Sequence, residues 1–213
     1  MLRIASALNL VPLAVLSLFP EERASAASQR KRLSLKIPRK FWRLYGARVA
    51  MTLPGSISGG VFAIYYLKYL GGSPESWSLV SAITTLLGLA SIPYGKLADR
   101  VSAKRMFTLA GLGWTLLYLG YYLSSTPQTF AAFFVVPVWP AFWLAYNKAM
   151  MEVSDTTERA KLYAFEGMLS AVYSSAVGLA ASYLADSFGP RNLFLISTLA
   201  AAIATLCTQV VLE

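Results

Sequence analysis

From residue 106 to residue 147 the chain carries no charged side chain. That stretch is long enough to cross about 30 Å of hydrocarbon twice as helix, and Ser124-Ser125-Thr126-Pro127 in its middle supplies the turn between two crossings. Comparable apolar runs occupy residues 4–19, 44–70, 76–94, 160–185 and 192–212. With 56% of 213 residues hydrophobic and 14% charged, a soluble domain has nowhere to hide this much apolar surface. The chain is expected to be an all-α polytopic membrane protein.

Charge then fixes the expected topology. The net charge of +9 resides in loops, where positive-inside orientation and anionic lipid account for it, so no nucleic-acid partner is expected. Placing residues 95–105 on the cytoplasmic side leaves only Arg3, Lys68 and Arg191 of the 19 Lys and Arg residues outside. Residues 4–19 are followed by Ala24-Ser25-Ala26, which also fits a secretory cleavage site. Cleavage there would export the cations of residues 30–48 against the positive-inside rule, so a membrane helix running from outside to inside is expected. The expected organisation is therefore a first helix at 1–20, a basic cytoplasmic linker at 21–43, and a membrane unit at 44–213. Histidine is absent and Cys207 is the one cysteine. No catalytic residue, metal site or cofactor is expected, and an intramembrane enzyme is disfavoured. A retinal-type receptor is disfavoured too, because residues 192–212 hold no Lys for a Schiff base.

The polar stretch Gly95-Lys96-Leu97-Ala98-Asp99-Arg100-Val101-Ser102-Ala103-Lys104-Arg105 separates two apolar runs and reads as a tight turn between spans. It resembles the signature loop of the major facilitator superfamily, with Gly95, Asp99, Arg100, Lys104 and Arg105 in register and Ser102 in place of the second glycine. A second copy follows, because Leu184-Ala185-Asp186 and Phe194 match Leu97-Ala98-Asp99 and Phe107, with Arg191 opposite Lys104. Each copy joins the second and third spans of a group of three, as in the inverted repeats of secondary transporters. The resemblance implies a six-helix half of a major facilitator fold with a 3+3 inverted repeat, plus one preceding helix.

Family resemblance also assigns expected roles. Asp99 would meet the positive N-terminus of a helix in the other half and steady one access state; alternatively, neighbouring cations simply neutralise it. The first, second, fourth and fifth helices of a half line the solute cavity, and the third and sixth face lipid. The expected cavity positions are then Ser56, Ser58, Thr84, Thr85, Trp139, Trp143, Tyr173 and Ser174, each of which has helix packing or interfacial anchoring as the competing explanation. Pro137 and Pro140 predict a bend in the span at 129–147. Glu166 lies inside a span, where a carboxylate must be paired or line water. It is either a structural ion pair, with Lys148 or Arg159 as partner, or a coupling or substrate group.

The expected function is half of a secondary transporter of the cell membrane. It would move a small-molecule solute by alternating access and be active only with a second six-helix half, a copy of itself or a separate chain. The alternative is a truncated or accessory membrane protein without transport.

Overall fold

The computed structural model describes residues 37–155 and 158–211. The first expected helix and most of the basic linker lie outside these residues. Six helices long and apolar enough to span a membrane follow one another: α1 (Arg39–Tyr69), α2 (Pro74–Arg100), α3 (Ala103–Leu123), α4 (Pro127–Val153), α5 (Arg159–Phe188) and α6 (Pro190–Val210). No strand occurs among the described residues.

The turns at one end are written in the sequence. Ser73 and Ser76 form a capping box with Pro74 as the first residue of α2, and Thr126, Thr129 and Pro127 repeat the device at α4. α5 ends at Gly189, whose φ of 78° is readily adopted only without a Cβ, and Pro190 opens α6. At the other end, α2 runs through Arg100, so the turn expected over residues 95–105 shrinks to Val101 and Ser102. Gly95, Asp99 and Arg100 occupy the last turns of α2, and Lys104 and Arg105 the first turn of α3. Charged residues tolerate helix at the membrane boundary because long side chains reach water from there.

Two helices bend as their breakers demand. α4 divides into Pro127–Phe134 and Trp139–Val153, on either side of Pro137. α1 passes through Pro54, then tightens into a 3₁₀ turn at Gly59–Val61 and widens into a π segment at Tyr65–Tyr69. The Pro54 carbonyl accepts the hydroxyls of Ser58 at 2.8 Å and Ser197 at 3.0 Å, the second reaching across from α6. The second bond ties α1 to α6, as serine and threonine hydroxyls do across membrane helices.

α3 and α6 are the most enclosed helices. In their most apolar stretches 44% of residues are buried, against 6% in α2 and α5. The last span is thus not a plain lipid-facing helix. Its inner face is Leu193, Phe194, Ser197, Ala201, Ala204, Thr205 and Thr208, and Leu199, Ile203, Leu206, Cys207 and Val210 are exposed on the outer side. Small and hydroxyl residues let backbones approach closely where no hydrophobic force separates helix from lipid. Gly111 of α3 lies against Thr205, and Gln209 donates to the Thr108 hydroxyl at 2.6 Å. An aromatic cluster including Phe62, Tyr65, Tyr121, Phe130 and Phe194 closes one end of the bundle, and Phe41, Phe107, Phe142 and Tyr146 close the other.

A side chain at Gly111 would overlap the β-carbon of Thr205, which cannot swing away. Gly111→Val should therefore cost roughly 1–3 kcal/mol, seen as a lower Tm in detergent by tryptophan fluorescence. Gly46→Val, at a position with no neighbour within 4 Å, should lose clearly less. Equal losses would rule out the close approach of α3 and α6.

Candidate functional site

Arg48 and Glu166 form an ion pair at 2.7 Å, with side chains only 12% and 10% exposed. The pair joins α1 to α5. Ser170, one turn after Glu166, donates to the Glu166 carboxylate at 3.1 Å and accepts from Arg48. α4 supplies the walls: the Arg48 guanidinium lies 5.3 Å from the ring centre of Trp143 and 5.4 Å from that of Tyr146. Aromatic faces stabilise a cation in a site with little water. Tyr146 is itself buried, and its hydroxyl and the Arg48 Nε have no hydrogen-bond partner among the described residues.

Neither expected partner reaches Glu166. Lys148 donates to the Ala98 and Val101 carbonyls at 2.7 and 3.1 Å, where it caps the negative end of α2. Arg159 folds back on Ser154 at 3.1 Å. The sequence reading took Arg48 as the last cation of the basic segment. The signal that would have found it is helical register: Arg48 falls seven residues after Phe41, which is fully buried, and four after buried Leu44.

The cavity positions divide into groups. Ser56 and Trp143 line a cleft of about 210 Å³ next to Arg48, together with Thr52, Trp114 and Tyr118. Thr84 and Trp139 line a second cleft of about 170 Å³, with Trp114 and Tyr118 again in the wall. Tyr173 donates to the Val49 carbonyl at 3.1 Å, beside the ion pair. Ser58 is buried on Pro54, while Thr85 and Ser174 are exposed and bond to their own helices. Trp114 and Tyr118 were missed because they stand on α3, a helix assigned to lipid. Their spacing of four residues sets both rings on one face of that helix.

At the α2–α3 turn, Ser102 caps α3 by accepting from the Arg105 N–H at 3.4 Å. That capping geometry accounts for a serine where the resemblance expects glycine. Asp99, Arg100 and Arg105 are exposed, and Gly95 and Lys104 half-buried. Among the described residues no group of three or more His, Cys, Asp or Glu side chains can hold a metal ion.

The family model described as Major Facilitator Superfamily matches residues 44–213, which takes in every described helix except the first turn of α1. Comparison with curated proteins gives no match.

Arg48→Met or Glu166→Gln alone leaves the opposite group buried without its counter-charge and should cost about 3–5 kcal/mol. The double variant should lose clearly less than the sum of the two, and thermal unfolding of all four proteins measures the coupling. Additive losses within about 0.5 kcal/mol would show that the two groups do not depend on each other.

Proposed function

Because the chain belongs to the major facilitator superfamily, we propose that it is one half of a secondary active transporter. In this reading it moves a small solute across the cell membrane by alternating access and works when joined to a second six-helix half. The observation that carries it is the Arg48–Glu166 pair, a buried charge pair beside an aromatic cleft at the meeting of α1, α4 and α5. Ionisable groups held inside a membrane protein at such a cost mark substrate and ion pathways.

Each residue then has a part. Glu166 is the coupling group, and Arg48 is its counter-charge. A proton on Glu166, or a solute charge that competes for Arg48, removes the attraction between α1 and α5 and links binding to movement. Ser56, Trp143 and Trp139 contact the solute, with Thr84 and Tyr173 behind them. Asp99 and its neighbouring cations steady one access state from the α2–α3 turn, which the charge distribution assigns to the cytoplasm.

Support for a second half comes from coverage. α2 and α5 are scarcely buried by the rest of the chain, and α5 presents Gly167, Ala171, Ser174, Gly178 and Ser182 along one side. Small residues in such a row favour a packed helix over lipid tails.

Alternating access can be read without knowing the solute. Ser56→Cys in a Cys207→Ser background, in native membranes, should react with a membrane-impermeant maleimide added to either side. Glu166→Gln should shift the ratio of the two rates at least about threefold. Reaction from one side alone, unchanged by Glu166→Gln, would reject transport and leave an accessory membrane protein.

A further inference from the structure

A further cavity lies away from the ion pair, at the end of the bundle where α1 begins, α2 turns into α3 and α4 ends. It measures about 430 Å³. The exposed cations Lys40 and Arg43 of α1 line it, together with Lys104 of α3, Glu152 and Lys148 of α4, whose ammonium also caps the end of α2. A solvated charge run would point away from the fold and from one element. Here the cations ring a concavity whose floor is apolar, made by Leu44, Ala103, Ala149 and Val153. The N-terminus of α3 opens at its lip beside Ser102, adding a fixed positive dipole.

We propose that this groove binds the phosphate of an anionic phospholipid. The charge pattern selects an anion. The apolar floor and the position at the helix ends select one that carries acyl chains, because free phosphate has no use for Leu44 and Val153. Trp42, half exposed beside Arg43, suits the headgroup level where tryptophan gathers. Basic pockets between helices on the positive face of a membrane recognise phospholipid headgroups in this way. A bound headgroup would bridge the start of α1 to α3 and α4, holding α1 against the α2–α3 turn. This assignment is independent of what the chain transports.

The test is native mass spectrometry of the purified chain with phosphatidylglycerol, phosphatidylcholine or inorganic phosphate. Phosphatidylglycerol should be retained in preference to phosphatidylcholine, and millimolar phosphate should not displace it. Lys40→Gln with Arg43→Gln, both exposed and so removable without loss of fold, should weaken phosphatidylglycerol binding about fivefold per cation. Lys68→Gln at the opposite end should change nothing. Equal retention of the two lipids, or wild-type retention by the double variant, overturns the proposal. Displacement by phosphate at equal concentration overturns the lipid and leaves a site for free phosphate.

Discussion

A charge in hydrocarbon has to be paired, and in this chain that requirement fixes where three helices meet. Arg48 and Glu166 come from opposite ends of the sequence, and neither side chain is tolerable at its depth without the other. Ser170 bonds to both groups, while Trp143 and Tyr146 cover the guanidinium. The rest of the bundle serves to bring those five side chains together. Pro54 lies in α1 just beyond Arg48, and its carbonyl accepts the Ser197 hydroxyl of α6. The break in α4 at Pro137 precedes Trp143 by less than two turns.

The packing is lopsided. α3 and α6 interlock through glycine and threonine, whereas α2 and α5 contribute little buried surface. Lipid solvates leucine as well as another helix does, so an uncovered apolar helix is not by itself incomplete. What distinguishes α5 is that it carries both the buried carboxylate and a row of small residues. In the proposed reading those two features set α5 against protein on more than one side. Lys148 has a related task at the α2 end, where its ammonium ties α4 to the turn that carries the signature residues.

Much of this was legible in the residues. The six described spans and the proline break in α4 follow from hydropathy and local turn chemistry, which act over short range. The signature turn misled in its length, because charge density was read as loop while the backbone kept its hydrogen bonds through Arg100. Glu166 was recognisable as a buried carboxylate, yet its partner was not. Pairing across more than a hundred residues depends on how helices are arranged, and nearest cations in sequence were poor guides. Trp114 and Tyr118 escaped for the same reason, since a helix assigned as a whole to lipid still has an inner face. Average hydropathy also hid the hydroxyls of α6, which matter singly and not in the mean.

We propose that these helices form a half whose α2 and α5 side is completed by protein. Cysteines placed at Leu86 and Leu179, and at Leu116 and Leu206 of α3 and α6, test it, because the four positions are 67%, 77%, 66% and 70% exposed in the chain alone. In native membranes of a Cys207→Ser background, a lipid-soluble thiol probe should label Leu116→Cys and Leu206→Cys readily and Leu86→Cys and Leu179→Cys several-fold more slowly. Equal labelling at all four would mean that lipid surrounds every side of the bundle, and that no second half completes it.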